Sequence, residues 1–94
     1  MSNYIITQYS YNKAKQLNLI IKQSKNKDKK IDVYTINNEF LHSIGDIRYN
    51  DYPSYLSTYN KNYADQRRRL YHIRHQKNIN IVNSKQYLSA NLLW

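Results

Sequence analysis

The stretch Ile31-Asp-Val-Tyr-Thr-Ile36, followed by Asn37-Asn38, decides the fold class that we expect for this chain. Its apolar and polar residues alternate with period two, and this alternation predicts a half-buried β-strand. Asparagine tolerates a left-handed backbone, so Asn37-Asn38 predicts a tight turn directly after the strand. One face of the strand then carries Ile31, Val33 and Thr35, and the other carries Asp32, Tyr34 and Ile36.

Two further stretches on either side are expected to pair with this strand. Leu17 to Lys22 is apolar and rich in β-branched residues, and a lysine-rich segment with strong turn chemistry follows it. Phe40 to Ile44 predicts a third strand, which we expect Gly45, the single glycine, to end. Residues 17–45 therefore predict a three-stranded antiparallel β-meander.

The second half of the chain predicts helices. Ser57 or Thr58 can cap a long basic helix that runs to about Lys77. Ser84 can cap a short C-terminal helix, which we expect Trp94 to lock in place. The upstream aromatic segment, residues 49–55, is predicted to be a loop because it contains the only proline.

These elements predict an α+β fold, in which a three-stranded meander is followed by one long basic helix packed on one sheet face and by a short C-terminal helix. We expect residues 17–94 to form a single small domain, because a chain of 94 residues can bury only one modest core. Residues 1–16 are expected to form an N-terminal tail or an extra strand. By topology alone, the arrangement is similar to sheet-type DNA readers.

Composition limits the classes of function. The net charge is +9, so the protein attracts polyanions, and the absence of cysteine excludes disulfides and zinc ribbons. We expect no membrane span, because no apolar run approaches 18 residues, and no secreted precursor, because the N-terminus lacks a basic region followed by an apolar one. The six carboxylates form no catalytic pair, and His72 and His75 stand among arginines that repel cations. The sequence thus predicts no enzyme, no cofactor and no metal site.

An arginine cluster stands out from this background. Asn, Lys, Ile and Tyr, which all have A/T-rich codons, make up 45 of 94 residues, whereas four of the five arginines lie in Tyr63-Ala-Asp-Gln-Arg-Arg-Arg-Leu-Tyr-His-Ile-Arg-His75. Arginine pairs bidentately with carboxylates and with phosphates. The cluster therefore predicts either an internal ion-pair network or an external phosphate surface.

A helical wheel divides the cluster between these two roles. The predicted core face of the long helix holds Tyr59, Tyr63, Gln66, Leu70, Ile73 and Arg74. Arg67 and Arg74 then lie at the boundary of the core, where we expect them to pair with Asp46 or Asp51.

The remaining basic residues are expected to face solvent. They form the candidate phosphate surface, which consists of Lys25, Lys27, Lys29, Lys30, Arg68, Arg69, His72, His75 and Lys77. The alternative is an ordinary solvated helix face, on which Asp65 pairs with Arg68 or Arg69 at helical spacing.

Tyrosines alternate with the basic residues, a pattern typical of proteins that bind single-stranded nucleic acid by stacking. The alternative is that they are core residues with satisfied hydroxyls, in a chain whose codon bias inflates the number of tyrosines. The candidates for base stacking or partner contact are Tyr49, Tyr52, Tyr55 and Tyr71.

Three segments together resemble a family of small proteins of giant nucleocytoplasmic large DNA viruses. They are Gly45-Asp-Ile-Arg-Tyr-Asn-Asp-Tyr-Pro53, the arginine cluster Tyr63–His75, and Tyr87-Leu-Ser-Ala-Asn-Leu-Leu-Trp94. The similarity covers residues 17–94, with Arg48 where the family usually has glycine. It implies a viral protein in the virion or in the virus factory of the host cytoplasm, and it implies no activity.

Two hypotheses follow. The first is a non-enzymatic protein of the virion or virus factory that binds nucleic acid through phosphates with little sequence selectivity, and we favour DNA over RNA. The second is a structural or adaptor protein, such as a minor capsid or core component, that binds other virion proteins through a surface rich in Tyr and Trp. The oligomeric state stays open.

Overall fold

The computed structural model describes residues 2–94, which form two compact units divided between Tyr49 and Asn50. Within these residues, the first unit holds one helix and a three-stranded sheet, and the second holds three helices. The predicted α+β class is confirmed. The single domain over residues 17–94, and the packing of the long helix on the sheet, stay predictions.

The sheet is the predicted antiparallel meander, with strand order β1-β2-β3. In β2, Ile31 and Val33 point to the core, as their alternation predicts. Ile21 lies opposite Val33, Ile44 lies opposite Ile31, and all four side chains are buried. The strands are β1 (Leu19–Gln23), β2 (Lys29–Thr35) and β3 (Phe40–Asp46).

The turn and the end of the sheet depend on residues with positive φ. Asn38 has φ of +67°, which agrees with the turn that Asn37-Asn38 predicts. Gly45 has φ of +79°, a region that favours glycine. The prediction that Gly45 ends its strand is wrong, because β3 runs one residue further to Asp46.

The segment before the sheet forms helix α1, Gln8–Gln16, where the sequence predicts a tail or an extra strand. The side chain of Thr7 caps it by accepting a hydrogen bond from the backbone N–H of Ser10. Only small residues of α1, Ser10 and Ala14, are buried. The helix contains two tyrosines but no aliphatic residue larger than alanine, so the apolar period from which a helix is normally recognised is missing.

The second unit contains helices α2 (Tyr52–Thr58), α3 (Lys61–Arg74) and α4 (Lys85–Leu92). Their N-caps are Asp51, Asn60 and Ser84, each of which accepts a hydrogen bond from a backbone N–H of the first turn. The cap at Ser84 agrees with its prediction. The predicted start at Ser57 or Thr58 is wrong, because those residues end α2, and most of the predicted aromatic loop is helical.

Helix α3 buries the side that the wheel predicts to face solvent. Ala64 is fully buried and Tyr71 is half-buried, whereas Tyr63, Leu70 and Ile73 are 38, 41 and 56% exposed. A small residue such as Ala64 lets a helix backbone approach its neighbour closely, whereas large apolar residues in its place would hold the two apart. The wheel groups the residues correctly, but it assigns the wrong group to the core.

Apolar packing in the second unit centres on α4 and on Trp94. Leu88, Leu92 and Leu93 are almost fully buried. The indole ring of Trp94 stacks on the ring of Tyr71, with 4.5 Å between centroids and 11° between planes. Burial raises the pKa of Tyr71, although a hydrogen bond with the Ser89 side chain opposes that shift. Long-range aromatic contacts therefore hold α3 against the C-terminal segment.

Candidate nucleic-acid interface

One face of the sheet is polar and aromatic, and we call it the β2 polar face. The period-two alternation that points Ile31 and Val33 to the core points the intervening residues of β2 to this face. The register places Lys22 of β1 and Ser43 of β3 beside Asp32. The residues of the β2 polar face used below are Lys22, Asp32, Tyr34, Phe40 and Ser43.

A buried carboxylate organises the β2 polar face. The Ser24 hydroxyl donates to Asp32 Oδ1 over 2.6 Å, the Ser43 hydroxyl donates to the same oxygen, and the Lys25 backbone N–H donates to Oδ2. Burial acts to raise the pKa of Asp32, but these donors outweigh it and hold the pKa below its usual value. Asp32 therefore stays ionised and fixes the Ser24–Lys25 turn against two strands.

Two aromatic rings lie beside this carboxylate. Tyr34 and Phe40 form an edge-to-face pair with 5.6 Å between ring centroids. A β-bulge between Val33 and Tyr34 shifts the register there. Phe40 is 56% exposed, and the ammonium of Lys22 lies 5.1 Å from the Tyr34 ring centroid. The face thus presents an accessible aromatic ring next to a cation.

An open depression adjoins the rings. It has a volume of about 530 Å³. Its lining includes the Tyr34–Phe40 ring pair, the Asp32 carboxylate and the start of the lysine-rich loop. The lining residues are Lys25, Asn26, Asp32, Tyr34, Phe40 and Ser43. This depression can accept a flat ring on its aromatic side and an anion near Lys25.

The lysines of residues 25–30 differ in their exposure to solvent. Lys25 and Lys27 are exposed and Lys29 is half-buried, and their anion-binding role stays a prediction. Lys30 is only 3% exposed, and its ammonium lies 5.1 Å from the Tyr4 ring centroid. This burial disagrees with the prediction of Lys30 as a phosphate contact: alternation places Lys30 on the same face as Asp32 and Tyr34, but there its ammonium lies against the Tyr4 ring.

The other predicted phosphate contacts lie in the second unit, and several of their side chains contact residues of that unit instead. Arg68 is half-buried, with its guanidinium carbon 3.7 Å from the Tyr52 ring centroid. His75 is half-buried, with its ring centroid 4.3 Å from that of Tyr71, and His72 is also half-buried. The remaining two, Arg69 and Lys77, are exposed.

Asp65 has partners other than those predicted. The Lys61 ammonium lies 2.7 Å from Oδ2, and the Tyr52 hydroxyl donates to Oδ1 over 2.7 Å. The hydrogen bond from Lys61 lowers the pKa of Asp65 most, and the hydrogen bond from Tyr52 lowers it further. The bond between Tyr52 and Asp65 also raises the pKa of Tyr52. The alternative pairing with Arg68 or Arg69 is thus replaced by one with Lys61.

The predicted partners of Arg67 and Arg74 are also engaged elsewhere. Asp46 pairs with Arg48, whose Nη2 lies 2.7 Å from Oδ2 and lowers the pKa of the carboxyl. Asp51 caps α2 by accepting hydrogen bonds from the N–H and the hydroxyl of a first-turn serine. Arg67 lies over an aromatic ring instead, 5.6 Å from the Tyr55 centroid, and Arg74 is exposed.

Of the four candidate tyrosines, only Tyr49 is exposed. Tyr52 is buried, and Tyr55 and Tyr71 are half-buried in a cluster around Trp94. Sequence reasoning missed Tyr34 and Phe40 as ring contacts. A signal existed for Tyr34, because the alternation places it on the face opposite the core.

Comparisons of the chain with protein-family models, with curated proteins and with solved structures find no match. Over residues 2–94, no helix has the length and apolar character needed to cross a bilayer. The same residues include no cluster of three or more histidines or carboxylates placed to hold a metal ion. The resemblance to viral proteins stays a prediction.

Proposed function

We propose that the protein is a non-enzymatic binder of single-stranded nucleic acid, which it holds on the β2 polar face with little sequence selectivity. The observation that carries the proposal is the Tyr34–Phe40 ring pair, exposed at Phe40 and adjacent to Lys22 and Lys25. Rings that stack on bases, next to cations that follow phosphates, are the usual combination for single strands.

Electrostatics supports the same proposal. Asp32 stays an anion, because the two hydroxyls and the N–H that bind it are neutral, but the cations of Lys22, Lys25 and Lys27 outnumber it on this face and its adjoining loop. Lys25 and Lys27 extend from the adjoining loop into solvent, and the chain as a whole carries +9. An anionic strand is therefore attracted at long range and held by lysines at short range.

The virion and the virus factory are the places where we propose that this binding occurs, on the basis of the viral resemblance alone. DNA remains the nucleic acid that we favour over RNA. Both have bases with π-faces, so the aromatic pair serves either one, and the titration below compares them directly.

The test is an anisotropy titration of labelled single- and double-stranded DNA and RNA at two salt concentrations. We expect single strands to bind tighter than duplexes, because the bases of a duplex are already stacked. Phe40→Ala should weaken single-strand binding by roughly fivefold to hundredfold, since stacking on one ring contributes about 1–3 kcal/mol. Ile81→Ala removes an apolar residue of the same exposed fraction, 56%, from the second unit and is the matched control.

A second pair of variants tests the cations. Lys25→Gln with Lys27→Gln should lower the salt slope for single strands by about 1.4, or about 0.7 for each phosphate that a lysine no longer neutralises. Lys15→Gln with Lys85→Gln removes the same charge from exposed positions elsewhere and should leave most of the slope. Equal affinity of wild type and Phe40→Ala for every single strand would rule out the β2 polar face.

A further inference from the structure

Helix α3 carries an apolar stripe that its own unit leaves uncovered. Tyr63, Leu70 and Ile73 are all exposed, and at 100° per residue they lie within about 80° of one another. The ring of Tyr59, 4.7 Å from that of Tyr63, extends the stripe at its N-terminal end. We call these four residues the α3 stripe. Its helical part is about 15 Å long at 1.5 Å per residue.

Arginines border the α3 stripe on both sides. On the helical wheel, Arg69 lies on one side, and Arg67 and Arg74 lie on the other. Arg69 and Arg74 are exposed. Asp65, the single acid of α3, lies about 40° beyond Arg69 on the wheel, where Lys61 and a tyrosine hydroxyl bind it. The stripe therefore has a cationic border without a carboxylate within it.

We propose that the α3 stripe docks an amphipathic helix of another protein, whose apolar seam is bordered by Asp or Glu. Tyr63, Leu70 and Ile73 stand at positions i, i+7 and i+10, with the polar Gln66 between them, so the stripe offers two apolar parts over about three turns, against which the apolar anchors of such a helix would lie. Carboxylates beside that seam would meet Arg69 on one side and Arg74 on the other, which gives charge complementarity along both borders.

The same stripe is less suited to a second copy of this chain or to nucleic acid. A second copy of this chain, docked through the same stripe, would bring its own arginines against those of the first, and like charges would oppose the contact. Leu70 and Ile73 are aliphatic and offer no ring for a nucleobase, and the two rings of the stripe, Tyr59 and Tyr63, lie at its N-terminal end and pack on each other. The stripe belongs to the second unit and the β2 polar face to the first.

The experiment uses the full chain and labelled synthetic helical peptides of about 20 residues, long enough for the stripe. The first peptide has a leucine seam bordered by Glu, the second has the same seam bordered by Lys, and the third has the Glu composition with the seam scrambled. We expect the first to bind at least about tenfold tighter than either of the others, measured by anisotropy.

Variants locate the site. Leu70→Ser with Ile73→Ser should weaken the first peptide by about tenfold or more, because the substitutions remove the apolar centre of the interface. Arg69→Gln with Arg74→Gln should reduce its preference over the Lys-bordered peptide. Ile81→Ser with Val82→Ser removes exposed apolar residues outside α3 and should change nothing, while circular dichroism checks that each variant folds.

Three results would overturn the proposal. One is equal affinity for the Glu- and Lys-bordered peptides. Another is a dimer of the wild type in sedimentation that Leu70→Ser with Ile73→Ser abolishes, because the occupant is then a second copy. The third is a reduced affinity of that same variant for single-stranded DNA, because the stripe then contributes to nucleic-acid binding.

Discussion

The guanidinium carbon of Arg68 lies 3.7 Å from the centroid of the Tyr52 ring, which belongs to the preceding helix. The hydroxyl of that tyrosine donates to Asp65, and Asp65 also binds Lys61. A cation above the ring and an anion at its hydroxyl hold α2 and α3 together. The arginine whose spacing favours a phosphate ligand is thus engaged within the fold.

We therefore expect Arg68→Gln to lower stability. The change should reduce the free energy of unfolding by about 1 kcal/mol, the usual contribution of a partly buried cation–π contact. Arg69→Gln is the matched control, since Arg69 is exposed and its removal should change stability by less than about 0.5 kcal/mol. Urea unfolding measures both. Equal stability of the two variants would contradict the structural role of Arg68.

Asp32 should make stability depend on acid pH. Its pKa is lowered on folding, so its contribution is complete above the unfolded value of about 4 and is lost as the pH falls through the lower folded value. Asp32→Asn should reduce the free energy of unfolding by about 1–3 kcal/mol at neutral pH, because buried donors lose their charged acceptor.

Urea unfolding between pH 7 and pH 2 checks this expectation. The difference between wild type and Asp32→Asn should be constant above about pH 5 and should narrow below about pH 4. Other carboxylates titrate in both proteins and cancel in the difference. Asp28→Asn, at an exposed position of the nearby loop, should leave neutral-pH stability nearly unchanged. If the stability difference between wild type and Asp32→Asn were the same at pH 2 as at pH 7, the charge of Asp32 would not contribute to stability.

The orientation of α3 can be tested by paired substitutions on its two sides. Ala64→Leu should reduce the free energy of unfolding by about 1–3 kcal/mol, because the site is fully buried and has no room for added atoms. Leu70→Ser removes a large apolar residue from the exposed side and should change stability by less than about 0.5 kcal/mol. Thermal unfolding measures both changes. A larger loss of stability for Leu70→Ser than for Ala64→Leu would support the core face that the helical wheel predicts.

The local sequence pattern predicted the strands of the sheet, but it identified only some residues of the candidate site. The alternation through Ile31 and Val33 predicts the faces of β2, and the exposure of Lys25 and Lys27 follows from their turn-rich loop. The ring pair of Tyr34 and Phe40 was missed because it depends on strand register and on a β-bulge, neither of which a single strand reveals.

The sequence by itself determined the antiparallel meander, its turn at Asn38 and the cap of α4 at Ser84, because each depends on side chains within a few residues of the backbone that they order. Only the tertiary structure decided which side of α3 is buried. That choice depends on the close approach allowed by Ala64 and on Trp94, which is distant in sequence but stacks on Tyr71 of α3. Contacts between distant residues form when helices pack, so the helical period alone cannot choose between the two sides.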